Sequence, residues 1–291
     1  MTEENGKKPM QVFSHVEPEL LRFKEKISKY TGQAVAQNMP YWVIVEDEIP
    51  ISVIILGIEP VRLIAPIGTP MTIVKIIDSP KIDNSWGEIA RESIYISEEK
   101  SAKYSYVQFT VNQNYGANRF IDAGYENFGE TYEMECTLES KHVNSKYIRF
   151  ERIQRDEINH FLNLMKTHMS GSPDPVLEII LNNIRDMPDG FLDIWYKLEH
   201  LFLIYKEGKV VGMLDLNIKE GTISNIGVDP EFRGKGYGRE IMKYGLQVLK
   251  ENGCKKASLR VHTENYAAIH LYETLGFKTI NQMKHLIWWS N

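Results

Sequence analysis

With 291 residues, of which 43% are hydrophobic, 11% aromatic and 25% charged, the chain has the composition of a soluble globular protein with room for one large or two ordinary domains. A formal net charge of −5 argues against a dedicated nucleic-acid binder, which needs a basic face, and leaves room only for a local basic patch, so no nucleic-acid partner is expected. Two isolated cysteines, Cys136 and Cys254, give neither a disulfide framework nor metal-ligand spacing, and eight scattered histidines form no H-x-x-x-H pair; no metal is expected, and a reducing cytoplasm is the default.

Along the chain, "MTEENGKK" lacks the apolar core of a secretory signal, and "ISVIILGI" (51–58) is far too short to span a bilayer, so no membrane partner is expected. The polar stretch "ESKHVNSKY" (139–147) separates two halves and sets the expected domains at 1–140 and 147–291. After it, "YIRFERI" (147–153) alternates like a strand, and Ile158, Phe161, Leu162 and Met165 recur at helical spacing. Ser172, Asp174 and Pro175 open a second helix, "SPDPVLEIILNNI". Three strands follow over 200–229, joined at "KEGK" and "KEGT". A helix from about Gly238 to Asn252 carries Ile241, Met242, Leu246, Val248 and Leu249, with Gly253 as its left-handed stop. Strand "KASLRV", helix "YAAIHLYETL" stopped by Gly276, and strand "INQMKHLIWW" complete an order β-α-α-β-β-β-α-β-α-β, a mixed α/β domain.

The stretch "EFRGKGYGRE" (231–240) stands where the third of those strands gives way to a helix. The first-turn amides of a helix have no internal partner and carry the positive end of its dipole. Gly234, Gly236 and Gly238 allow close approach to the backbone, and Arg233, Lys235 and Arg239 add charge, so the stretch reads as an anion cradle suited to a pyrophosphate. It is neither a Walker loop nor the dinucleotide fingerprint, because no Gly-Lys-Ser/Thr occurs and Arg239 stands where the third glycine belongs.

Together, "NIGVDPEFRGKGYG" and "LRVHTENYAAIHLYETLGF" resemble the GNAT superfamily of N-acetyltransferases. Its R/Q-x-x-G-x-G/A loop is matched by Arg233, Gly236 and Gly238; its N-x-x-A-x-x-L-Y-E-x-x-G-F signature is matched by Asn265, Ala268, Leu271, Tyr272, Glu273, Gly276 and Phe277. The resemblance covers roughly residues 147–291. It implies acetyl-CoA as co-substrate, its pyrophosphate held by the amides of Gly234, Lys235, Gly236, Tyr237 and Gly238, with Arg233 and Arg239 alongside. It implies that the backbone of Ile226, Gly227 and Val228 pairs with the pantetheine arm, and that the acetyl group passes directly to an amine. Tyr272 becomes the general acid for the CoA sulfur, and Asn265, which also reads as a helix N-cap, a cofactor contact.

Relatives often carry Glu or His between the Leu and Val of "SLRVH"; here that residue is Arg260, which is no base at ordinary pH. Arg260 can hold a carboxylate on the acceptor or, the plainer expectation, pair with an acidic neighbour. Asp215, Ser224 or Asn225 acting through water, then Glu264 and His262, stay open as the base. Trp195, Trp288 and Trp289 read as core or pocket-wall packing. The segment 168–200 is where the resemblance puts the acceptor pocket, for a small-molecule amine or a protein amino terminus. The rival reading is a non-catalytic acyl-CoA sensor or interaction module.

The first half reads as a worn copy. "VNQNYGANRFIDAGYENFGETYEMECTL" (111–138) parallels "VHTENYAAIHLYETLGFKTINQMKHLIW" (261–288) once one-residue gaps are allowed, which points to two tandem GNAT-like domains, each with a mixed, mostly antiparallel sheet flanked by helices. In the copy "KIDNSW" replaces the phosphate loop, Asp83 adds negative charge at the presumed helix start, and Phe120 stands for the tyrosine acid, so this half is expected to bind no CoA.

Overall fold

The computed structural model describes residues 10–60, 64–79, 82, 85–138, 148–183 and 187–290; "MTEENGKK", the polar separator 139–147, and Lys81, Asp83 and Asn84 lie outside them. The chain divides into two compact units. Unit 1 comprises Met1–Pro60, Ala65–Phe128 and Met283–Asn291; unit 2 comprises Val61–Ile64 and Gly129–Gln282.

In unit 1 the elements run β1 (Gln11–Ser14), α1 (Lys24–Ala36), β2 (Tyr41–Glu46), β3 (Ile49–Ile58), β4 (Pro70–Ile76), α2 (Trp86–Glu99), β5 (Tyr104–Thr110) and α3 (Asn114–Asp122), with β6 (Glu126–Thr137) beginning here. In unit 2 they run β7 (Arg149–Arg152), α4 (Ile158–His168), α5 (Pro175–Asn183), α6 (Asp189–Leu198), β8 (Glu199–Lys206), β9 (Lys209–Asn217), β10 (Thr222–Val228), α7 (Tyr237–Glu251), β11 (Lys256–His262) and α8 (Tyr266–Thr274), with β12 (Lys278–Trp289) closing the chain.

The sheet of unit 1 is ordered β1-β2-β3-β4-β5-β12 and that of unit 2 β7-β8-β9-β10-β11-β6. In each, one interior pair is parallel (β4 with β5, β10 with β11) and the other described pairs are antiparallel. Each sheet is thus mixed and mostly antiparallel, as expected. The compact units differ from the two sequence halves in their last strands. Residues 131–137 of β6 pair with β11, and residues 283–289 of β12 pair with β5, so each unit closes with a strand from the other half. Alternating strands look alike whichever partner they choose, and hydrophobic pattern alone does not name that partner.

The repeat needs no gaps. β4 and β10, β5 and β11, α3 and α8, and β6 and β12 have matching lengths at one constant offset, which puts Gln113, the N-cap of α3, opposite Asn265, the N-cap of α8. Asn114-Tyr115 and Asn265-Tyr266, which look alike in the two stretches, therefore lie one residue out of register, whereas Phe120 does correspond to Tyr272. Both helices stop identically: Tyr125 N donates to Phe120 O (3.0 Å) and Phe277 N to Tyr272 O (3.1 Å). Gly124 (φ +112°) and Gly276 (φ +93°) supply the left-handed residue that such a stop needs.

Hydrophobic periodicity builds these elements as expected. Ile241, Met242 and Leu249 of α7 are buried against β9, β10 and β11. Ile158, Phe161, Leu162 and Met165 of α4 pack on the opposite face with Leu201, Leu203 and Met213. One element was not expected. α6 occupies 189–198, between the second helix and the first of the three strands; Pro188 at its N-cap and Phe191, Leu192 and Trp195 on one face were the available signals. Trp195 packs edge-on against Phe161 (6.1 Å), Trp288 joins the core of unit 1, and Trp289 lies against Tyr104 (5.7 Å), so all three are packing residues.

Candidate active site

β10 and β11 share a single register pair, Thr222 with Ser258, whose hydroxyls lie 3.1 Å apart. Beyond it the strands part. From Ile223 to Val228, β10 keeps β9 on one side and leaves its other edge without a strand partner. A bulge at Ser224, between the pairs Ile223–Leu216 and Asn225–Asp215, re-aims that side chain. The opening is a cleft of about 750 Å³ within unit 2, a size typical of small-molecule sites. The end of α4, Ile223–Ile226 and Val228 of β10, the loop before α7, residues 259–262 of β11 and the inner face of α8 wall it.

At one end of the cleft the glycine loop enters α7. Gly234 (φ +72°) and Gly236 (φ +87°) are left-handed, and a Cβ on either would project into open space. The amides of residues 234–238 donate to no described residue, so they form a row of free N–H groups at the positive end of a 15-residue helix. Gly238 is different: a Cβ there would lie 3.3 Å from Leu271, so this glycine lets α7 and α8 close together.

The three cations have different positions. Arg239 lines the cleft and gives one hydrogen bond to Thr274 Oγ1 (3.0 Å). Arg233 also lines it, but its Nε donates to Val228 O (3.1 Å) and its Nη2 to His168 O and Ser170 O (both 3.0 Å), tying the end of α4 to the loop. Lys235 does not line the cleft; its Nζ donates to Glu231 O (2.8 Å). Tyr237 lines the cleft beside Phe232 (ring centroids 5.8 Å).

Ile226 and Val228 face the cleft, whereas Gly227 is buried behind them; a Cβ there would come within 2.8 Å of His168 Cβ. That glycine is a packing requirement of the α4–β10 contact. His168 itself was not singled out in the sequence. It lines the cleft 3% exposed, with neither ring nitrogen hydrogen-bonded among the described residues, and burial holds its pKa below the ordinary histidine value. Asn265 is an N-cap, Oδ1 accepting from Ala268 N (3.2 Å), and also lines the cleft.

Tyr272 lies on the cleft face of α8, 7% exposed, and its hydroxyl has no partner among the described residues. Burial pushes the phenol up to about 12, so it keeps its proton at every physiological pH. Arg260 lines the cleft, exposed, and makes no ion pair with a described residue although Glu133 stands opposite in register. The simple ion pair expected for it is not formed among the described residues. Of the remaining base candidates, His262 lines the cleft with Nδ1 accepting from Glu264 N (3.3 Å), and Glu264 stays outside.

Behind Ser224 and Asn225 sits a buried carboxyl pair that sequence reading found only in part. Asn225 Nδ2 donates to Asp215 Oδ2 (2.8 Å), Ser224 Oγ donates to Glu199 Oε2 (3.0 Å), and Asn217 Nδ2 donates to Glu199 Oε1 (2.8 Å). Asp215 is fully buried, with Oδ1 unpartnered among the described residues; burial first, then the charge of Glu199, holds its carboxyl well above the usual range. Glu199, at the head of β8, gave no sequence signal.

Unit 1 fills the equivalent place with protein. At the constant offset Ile82 stands for Gly234 and Trp86 for Gly238, and both are buried. The Trp86 ring lies so close to α3 that a Cβ on Gly116 would meet it at 2.5 Å. Ser85, the N-cap of α2, donates from Oγ to Glu46 Oε2, which sets a buried carboxylate beside that helix start. β4 and β5 also pair over four residues, Met71–Val74 with Tyr104–Val107, where β10 and β11 pair at one.

Residues 174–277 match the model of the Acetyltransferase (GNAT) family. A mycothiol acetyltransferase of Streptomyces bingchenggensis is 32% identical over 100 residues, 33% of this chain and 32% of that protein. A ribosomal protein bS18 alanine N-acetyltransferase of Escherichia coli is 35% identical over 78 residues, 26% of this chain and 53% of that protein. The aligned segment thus spans about a third of the first relative and about half of the second. In fold, the chain is similar to a GCN5-related N-acetyltransferase from Sphaerobacter thermophilus, with TM-score 0.63 and 13% identity over 95% of both chains. It is also similar to a tandem GNAT protein from the clavulanic acid biosynthesis pathway, with TM-score 0.59 and 11% identity over 97% of this chain and 99% of that one. The folds carry the likeness at that identity, and they support two GNAT-like domains in this chain.

Proposed function

We propose that the chain, whose residues 174–277 match the acetyltransferase (GNAT) family model, transfers an acetyl group from acetyl-CoA to a primary amine. The observation that carries the reading is the row of free amides at residues 234–238, opening onto the same cleft as the Tyr272 hydroxyl. The pyrophosphate sits on those amides with Arg239 beside it. Arg233 orients the loop, and Lys235 contributes charge from outside the cleft. The pantetheine arm extends along the free edge of β10, past Val228 and Ile226, as an added strand. That direction brings the thioester to Asn225 and Ser224, where β10 and β11 part.

The amine then attacks the thioester carbon directly, and the C–S bond breaks as the new C–N bond is kept. A free thiol has a pKa near 8.5, well below that of the buried phenol, so Tyr272 acts by hydrogen-bonding the sulfur as its charge develops, and its proton moves to the departing CoA only as water returns one to the phenol. The acceptor is a small-molecule amine or a protein amino terminus, matching the two kinds of relative. Two unpaired cysteines suit a cytoplasmic setting.

Thiol release from acetyl-CoA, followed with phenethylamine, spermidine and a short peptide with a free amino terminus, is expected to rise above the no-amine background with at least one of them. Tight acetyl-CoA binding without release under all three would favour the sensor reading instead.

One chain is expected to bind one acetyl-CoA. Ile82 and Trp86 occupy the glycine positions of unit 1, and Ser85 at the start of α2 gives its hydroxyl to Glu46. Calorimetric titration of the full-length protein should saturate near one equivalent. A second equivalent of comparable affinity would mean that unit 1 keeps a working site.

A further inference from the structure

The acetyl-transfer reading leaves one requirement unmet. The attacking nitrogen has to lose a proton, and Arg260 stands at the position where the resemblance to ribosomal-protein and amino-terminal acetyltransferases often puts Glu or His. Three observations converge elsewhere. Glu199 and Asp215, 9% and 0% exposed, are adjacent on β8 and β9, two acids held together away from water. Asp215 keeps one oxygen, Oδ1, without a described partner, an unusual state for a carboxyl buried to this degree. Two side chains connect the pair to the cleft, Ser224 to Glu199 and Asn225 to Asp215, and the bulge of β10 falls at Ser224, which is exposed to the cleft. A purely structural pair would be better served by complete hydrogen bonding or by apolar replacements.

We propose that the Glu199–Asp215 pair is the proton acceptor for the attacking amine, reached through the hydroxyl of Ser224. This rests on the acetyl-transfer reading, because the thioester is brought to Ser224 by the run of the arm along β10. As the nitrogen–carbon bond forms, one amine proton passes to Ser224 Oγ while the Ser224 proton passes to Glu199 Oε2. The C–S bond breaks and the sulfur takes a proton from Tyr272. Water then removes the proton from the carboxyl pair and restores the one on Tyr272, so the net change is one amine proton delivered to CoA. Burial first, then the charge of Glu199, holds the Asp215 carboxyl well above the usual range, so the proton kept by the pair rests on Asp215 and Glu199 Oε2 is left to accept from Ser224. Within the pair each acid faces the other; His200, next to Glu199 on β8, points to the opposite face of the strand, and burial and Arg152 keep it below its ordinary pKa. Trp195 of α6, Asn217 of β9, and Ser224 and Asn225 of β10 complete its surroundings and do not titrate near neutrality.

The test uses the full-length protein, saturating acetyl-CoA and the three amines named above, with Glu199→Gln, Ser224→Ala and Ser224→Thr. Glu199→Gln and Ser224→Ala are expected to lower kcat by about 10²-fold, the scale of a lost general base, with KM for acetyl-CoA unchanged. The deficit of Glu199→Gln should persist as pH rises past the pKa of the amine, because the proton the relay takes is one that a neutral amine still carries as the nitrogen–carbon bond forms. Ser224→Thr retains a hydroxyl and is expected to stay within several-fold of wild type. Should Glu199→Gln fail to fold, Ser224→Ala, altered at an exposed position, carries the test. Unchanged kcat in the variants, a Glu199→Gln deficit that vanishes above the pKa of the amine, or a loss shared equally by Ser224→Thr, would overturn the relay while leaving acetyl transfer standing. No amine-dependent thiol release in the wild type would overturn both.

Discussion

Gly236→Glu is expected to abolish acetyl-CoA binding in a protein that still folds. Gly236 is left-handed, at φ +87°, and a Cβ added there meets nothing within 4 Å. The cost to the fold is therefore backbone strain of roughly 1–2 kcal/mol, which a domain of ordinary stability, about 5–15 kcal/mol, tolerates. The cost to the ligand is larger. The new carboxylate stands at the mouth of the free amides and opposes a pyrophosphate there, and at about 4 Å each charge pair repels by about 1–4 kcal/mol depending on its exposure to water. Several such pairs act together, so a loss of affinity of at least about 10²-fold is expected. Gly236→Ala, with the strain but no charge, should lose much less. Calorimetry on folded Gly236→Glu showing wild-type affinity would overturn the phosphate assignment.

Tyr272→Phe is the second large effect. The phenol hydroxyl has no partner among the described residues, so its removal leaves no buried group unsatisfied and the ring still packs with Phe277 (5.9 Å). Stability should hardly move. If the hydroxyl serves the departing sulfur, kcat should fall by about 10²-fold or more, with acetyl-CoA affinity little changed. Because burial pushes the phenol up to about 12, it is a donor throughout the neutral range, and any alkaline fall in wild-type rate below about pH 10 belongs to another group. Equal turnover of Tyr272→Phe and wild type would remove the acid role.

The glycine loop, the "ENYAAIHLYETLGF" helix and the Gly-aromatic stop in both halves were legible in the sequence by itself, because each is local. A left-handed residue, a helix start and an i, i+7 spacing involve neighbours within a few turns, and their geometry follows from backbone sterics alone. That local chemistry carried the resemblance, the co-substrate expected and the repeat. Only the tertiary structure decided which side chains meet across strands. It exchanged β6 and β12 between the units, since a strand's pattern does not name its partner. It turned Arg233 onto backbone carbonyls and Lys235 out of the cleft, since the direction of a long side chain depends on what surrounds it. It left Arg260 unpaired among the described residues. It brought Glu199, Asp215 and Ser224 together from three separate strands, a juxtaposition set by register and by one bulge, neither of which the spacing of residues along the chain records.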